Sequence, residues 1–148
     1  MRPGVRLAID WGEARIGVAA CDPAGTLAYP VETVPAGPAA IPRIRDLVGE
    51  YDPIELVLGL PRTLAGTESY AASKIRTVAD ELAAALPGLP VRLVDERLST
   101  AAASRKLGQA GRNTRRQRRV IDQAAAVAIL EGALDQERAT GQAPGELR

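Results

Sequence analysis

Four carboxylates stand in unusually apolar company in this sequence, and their positions suggest a chemistry. Asp10 closes the alternating run VRLAID at 5–10, Asp95 and Glu96 close VRLVDE at 91–96, and Asp122 lies inside VIDQAAAVAIL at 120–130, where only it and Gln123 are polar. An unpaired carboxylate held out of water costs several kcal/mol, so Asp122 needs a cation, strong hydrogen bonds or a cleft open to solvent. Arg118 or Arg119, one helical turn earlier, would serve as a purely structural partner, and each of the other acids taken alone fits a turn or capping role. Taken together, acids from two strand ends and one helix converge if those elements meet at one end of a sheet, where ligand sites form in open α/β folds. Such a cluster repels itself unless a divalent cation sits in it, and all-oxygen ligation favours Mg2+ or Mn2+, as one or two ions. The chemistry this suits is phosphodiester hydrolysis, in which the metal activates water and stabilises the leaving oxygen.

The rest of the composition narrows the choice. There is no histidine, which removes Ser-His and Cys-His nucleophile pairs and the HExxH metal helix. The single cysteine, Cys21, forms no intramolecular disulfide and suits a small buried residue in a reducing, cytoplasmic setting. Formal net charge is +1, yet the stretch 105–119 holds seven of the 19 basic residues and no acid. Arg112, Arg115, Arg116, Arg118 and Arg119 lie in it, and such asymmetry points to a phosphate backbone met at one place. At 148 residues the chain is expected to form one domain over 1–138, followed by a flexible tail at 139–148. No window approaches the ~20 apolar residues of a membrane span, and the first residues lack a secretory signal.

The elements that would position the acids follow from periodicity. Residues 5–10, 15–21 and 27–34 read as three strands on short connections, an antiparallel meander. Ile41, Ile44, Leu47, Val48 and Tyr51 fall at helical spacing before Asp52-Pro53, and IELVLG at 54–59 reads as a strand covered on both faces. A long helix over 68–86 presents Ile75, Val78, Ala79, Leu82 and Leu86, and 91–96 forms the fifth strand. A short helix capped by Ser99 or Thr100, a basic loop at 108–114 and a final helix over 115–138 complete the order. The result is an α/β fold, a mixed five-stranded sheet with three antiparallel strands then two parallel ones, flanked by helices. The Gly59–Arg62 turn could approach a phosphate, though it lacks the phosphate-loop Lys-Ser/Thr.

Four ordered segments, IDWGEARIGVA (9–19), LVLGLPRTLAGTE (56–68), VDERLSTAAA (94–103) and RRVIDQAAAVAIL (118–130), resemble the YqgF family, also called RuvX-like. The resemblance spans about residues 5–135 and implies an RNase H-like fold of the kind shared with Holliday junction resolvases. It implies a catalytic and metal-binding triad of Asp10, Glu96 and Asp122, with Asp95 as an orienting or capping neighbour. Arg15, Arg62 and Arg97 match basic positions of the family motifs and are expected at nucleic acid. Ala65 stands where family members often carry a polar or acidic residue, and Trp11 either packs on the sheet end or stacks on a base.

The function so implied is a metal-dependent nuclease acting on structured nucleic acid, processing the 5′ end of precursor small-subunit ribosomal RNA as a monomer or weak homodimer. One alternative is cleavage of four-way, branched DNA junctions by the same triad. Another is a non-catalytic RNA-binding assembly factor whose acids are structural. A third, an actin-like phosphotransferase suggested by the DWGEARIGVA hairpin, would need two such domains.

Overall fold

The computed structural model describes residues 1–62, 65, 67–98 and 115–148, with the side chains of 98 and 115–119 excepted. Strands β1 (Arg6–Trp11), β2 (Arg15–Cys21) and β3 (Ala28–Pro35) form the expected antiparallel meander. Helix α1 (Ala40–Tyr51) leads to β4 (Glu55–Leu60), and α2 (Tyr70–Ala85) leads to β5 (Val91–Asp95). A 3-10 turn (Glu96–Leu98) follows, then α3 (Arg115–Thr140) and β6 (Glu146–Leu147). The helix expected from Ser99 or Thr100, the loop at 108–114 and Arg112 lie outside the described residues, as do the side chains of Arg115, Arg116, Arg118 and Arg119.

The strands lie in the order β3-β2-β1-β4-β5-β6, with β1, β4 and β5 parallel and β6 antiparallel to β5. The sheet therefore has six strands where periodicity gives five, and the segment read as a flexible tail supplies the sixth. A two-residue strand has no alternation to read. It is held by what it meets: the Arg148 N–H donates to the Val91 carbonyl at 2.7 Å, the Arg148 guanidinium meets Asp80 at 2.8 Å, and Glu146 pairs with Arg76.

Alternation sorts the sheet into two unlike faces. Leu7, Ile9, Ile16, Val18, Leu56, Leu58, Val91 and Leu93 point to one side, where α1 and α2 cover them with Ile44, Leu47, Ile75, Val78 and Leu82. The other side is built from small residues, Ala8, Ala19, Cys21 and Val57, and α3 lies on it through Ala125, Ala126, Ile129, Leu130 and Leu134. Small side chains on both partners allow a close approach. A Cβ on Gly17 would stand 2.0 Å from the Asp122 carbonyl oxygen, and one on Gly59 would stand 2.6 Å from Ile129 Cδ1. At both positions glycine is what lets the helix backbone or side chain rest on the strand.

The two ends of the sheet differ as sharply. At the N-terminal ends of β1 and β4, Arg6, Glu55 and Glu137 are each at most 2% exposed. Arg6 Nη2 donates to Glu137 at 2.9 Å, Arg2 bridges Glu137 at 2.6 Å and Glu55 at 2.7 Å, and Arg92 also meets Glu55. Each buried charge is thus paired, which is the condition for tolerating it. The C-terminal ends of the same parallel strands carry the acids singled out by sequence.

Candidate active site

Parallel β1, β4 and β5 end at one edge, so Asp10, Gly59 and Asp95-Glu96 arrive side by side. Asp10 and Glu96 are each 5% exposed and line one cleft of about 220 Å3. Gly59, on the strand between them, lines the same cleft and puts no side chain into it. Trp11, Gly12, Pro61, Tyr70 and Lys74 form the rest of its wall. Burial, reinforced by the neighbouring Asp95 carboxylate, pushes the Glu96 carboxyl above its usual range.

Asp95 is not among the residues lining that cleft, and it is occupied. It accepts the Arg97 N–H at 2.9 Å and the Arg97 guanidinium at 2.6 Å, with Arg62 Nε 3.8 Å away. The Arg97 contact, against some desolvation, holds the Asp95 carboxyl below the usual range. It therefore caps the 3-10 turn that begins at Glu96.

Asp122 reaches the region from α3. Gly17 is the β2 residue paired with Asp10, and the Asp122 backbone rests on Gly17. The Asp122 side chain is 17% exposed and accepts a hydrogen bond from Arg15 Nε at 2.8 Å. Its structural partner is therefore Arg15, 107 positions away on the neighbouring strand, and the contact is one that no local pattern would reveal.

The donor set suits a hard divalent cation: carboxylate oxygens, two of them buried in one cleft. Among the described residues no group of three His, Cys, Asp or Glu stands at metal-holding separation, and the Asp122 carboxylate pairs with Arg15.

The family described as "RuvX: Holliday junction resolvase" matches residues 4–136. The chain belongs to this family. A relative from Streptomyces avermitilis, named "Putative pre-16S rRNA nuclease", is 58% identical over 99% of this chain and 95% of its own length. A protein of the same name from Cutibacterium acnes is 56% identical over 91% of this chain and 84% of its own. Among solved structures, Thermus thermophilus RuvC in complex with a Holliday junction superposes with a TM-score of 0.58 at 16% identity, covering 95% of this chain and 99% of that one. The mixed sheet flanked by helices expected from sequence is thus the RuvC-like fold. Nuclease chemistry, the hydrolysis of phosphodiester bonds, is what the family and its named relatives share.

Within this RuvX chain the three described arginines expected at nucleic acid all lie at the C-terminal edge, each facing a carboxylate: Arg15 with Asp122, Arg62 and Arg97 with Asp95. Trp11 packs against the core while lining the cleft. Three cleft residues with polar side chains were not singled out from sequence, Glu13 between β1 and β2 and Tyr70 and Lys74 of α2. A signal existed for Tyr70, a large ring out of phase with the apolar stripe Ile75, Val78, Ala79 and Leu82. Nothing in the sequence distinguished Lys74. Among the described residues no helix is long and apolar enough to cross a membrane.

Proposed function

We propose that this protein is a divalent-metal-dependent nuclease that processes the 5′ end of precursor 16S ribosomal RNA in the cytoplasm, with Asp10, Glu96 and Asp122 as its metal-binding and catalytic acids. The observation that carries the assignment is the meeting of Asp10 and Glu96, buried acids from the ends of two different strands, in one cleft at the C-terminal edge of the sheet. The name shared by relatives at 56–58% identity supports the substrate. Mg2+ or Mn2+ held by these acids would acidify the attacking water and neutralise charge on the phosphate, chemistry that needs no histidine.

The chain's own residues divide the remaining work. Asp10 and Glu96, each 5% exposed, bring two poorly solvated carboxyl groups to the cleft, where a divalent cation would favour their charged forms. Asp95, accepting the Arg97 backbone N–H, fixes the turn that aims Glu96. Arg15, Arg62 and Arg97 are partly exposed cations whose carboxylate partners a phosphate can replace. Arg112, Arg115, Arg116, Arg118 and Arg119 supply the salt-dependent grip on the backbone.

A second reading, cleavage of four-way DNA junctions, is favoured by the family description and by the RuvC-like fold. One assay addresses both. A precursor 16S 5′ leader and a four-way junction are incubated with Mg2+, Mn2+ or chelator, using wild type, Asp10→Asn and Asp122→Asn. The expected result is metal-dependent cleavage of the leader that both substitutions abolish. Preferential cleavage of the junction selects the second reading. Cleavage that survives either substitution removes that acid from the mechanism, and binding of the leader without cleavage selects an assembly factor.

A further inference from the structure

The chain contains four aromatic residues, one tryptophan and three tyrosines. Trp11, Tyr29 and Tyr51 pack against the core, whereas Tyr70 is 85% exposed. An aromatic ring carries a large apolar payload, and leaving one in water forgoes it, so the site of exposure is informative. Tyr70 stands at the first position of α2 on the wall of the cleft that holds Asp10 and Glu96. Lys74, one turn on and therefore on the same helix face, lines that wall as well. Its ammonium group lies 3.4 Å from Glu13, which sits in the β1–β2 turn on the opposite side of the cleft. Glu13 is 89% exposed and the Lys74 side chain 50%, so solvent screens the pair and an incoming phosphate can displace the carboxylate.

Resting on the nuclease reading above, the structure assigns Tyr70 and Lys74 to a subsite for one unpaired nucleotide beside the scissile phosphate: its base stacks on the Tyr70 ring and its phosphate takes Lys74 from Glu13. A base inside a duplex is already stacked on both faces, so only an unpaired one is free to take the exposed Tyr70 ring on the cleft wall. Base stacking on an aromatic ring is tolerant of sequence, because every base has a π-face. The subsite therefore selects strandedness rather than base identity. The substrate is cut where its bases are unpaired, at a single-stranded leader or an opened junction.

Binding is measured in chelator, so that nothing is cut, with a short single-stranded RNA carrying 2-aminopurine and with the same sequence annealed into a duplex. The proteins are wild type, Tyr70→Ala, Tyr70→Phe, Lys74→Gln and Asp10→Asn. Stacking predicts that wild type quenches the single-strand probe, that Tyr70→Ala weakens its binding roughly 5- to 150-fold, and that Tyr70→Phe retains it. Lys74→Gln lowers the slope of log affinity against log salt by about 0.7. Duplex affinity is the same for wild type and Tyr70→Ala, and the melting temperature of Tyr70→Ala matches wild type because the ring is exposed. Equal single-strand affinity for wild type and Tyr70→Ala, an equal loss on the duplex, or no binding of the single strand by wild type overturns the subsite. Cleavage in Mg2+ by wild type, lost in Asp10→Asn, leaves the nuclease reading standing in each of those cases.

Discussion

Gly17→Ala adds one methyl group at the place where α3 rests on the sheet, and its consequences can be worked from the contact. The new Cβ would stand 2.0 Å from the Asp122 carbonyl oxygen and 2.5 Å from the carbonyl carbon, both backbone atoms of a long helix that cannot rotate out of the way. Reaching even 3.0 Å, which real Cβ contacts respect, requires α3 to retreat by about 1 Å. Overpacking of this kind costs about 1–3 kcal/mol, against which the alanine returns about 0.4–1 kcal/mol by stiffening the unfolded chain. The net loss is then up to about 2.6 kcal/mol, or as much as roughly 10 °C in melting temperature for a chain of this size. The functional effect is expected to be larger, because the retreat carries Asp122 away from the Asp10 strand, and a 1 Å misplacement costs about 100-fold in rate. Gly49→Ala is the control: nothing lies within 4 Å of its Cβ, and inside α1 it is expected to stabilise by about 1 kcal/mol. Calorimetry and leader cleavage, run on both variants, test the reasoning. A Gly17→Ala protein that melts and cleaves like wild type refutes the close seating of α3 and the placement of Asp122 that depends on it.

Glu96→Gln is expected to raise the melting temperature at neutral pH in chelator. The carboxyl has a raised pKa in the folded protein, so its charged form destabilises the fold, and the penalty disappears once pH falls below the ordinary carboxylate range and both states are protonated. Mg2+ or Mn2+ should then stabilise wild type more than Glu96→Gln, and equal metal-induced shifts in thermal scans would remove Glu96 from the metal site. Glu137→Ala is expected to cost about 3–5 kcal/mol, because it leaves the Arg6 guanidinium buried without its carboxylate. Although burial pushes the Glu137 carboxyl up, the Arg2 and Arg6 contacts outweigh it and hold the pKa below its usual value. Its contribution is therefore present above the ordinary carboxylate range and lost as pH falls through the depressed value, so urea melts of wild type and variant should converge at low pH.

Much of this architecture was legible because it is local. Period-two alternation marks β1, and the 3.6-residue stripe marks α1 and α2. Asp52, which the sequence placed at the end of α1 before Pro53, closes it in a left-handed conformation with its N–H donated to the Val48 carbonyl at 2.8 Å. The sixth strand was not legible, since Glu146–Leu147 is a strand only by virtue of the β5 edge it meets. Arg15 read as a phosphate ligand and Asp122 as a candidate for Arg118 or Arg119, and their mutual 2.8 Å contact joins residues from different elements. Tyr70 carried a signal, a ring out of phase with its helix stripe, but its 85% exposure on the wall of the acids' cleft is a product of the tertiary structure.

By itself the sequence determined the chemistry available: carboxylates at strand ends and in an apolar helix, no histidine, and a basic stretch to meet phosphate. These are properties of residue type and spacing, and spacing along a strand or helix dictates which face each side chain takes. Which carboxylates share a cleft was decided only by tertiary structure. The order β1-β4-β5 brings Asp10 and Glu96 together across Gly59, while the approach of α3 to Gly17 sets where Asp122 stands and gives it to Arg15. The physical reason is that strand order and helix seating are settled by the packing of whole faces, whose small residues on one side and large ones on the other act over the entire sheet at once.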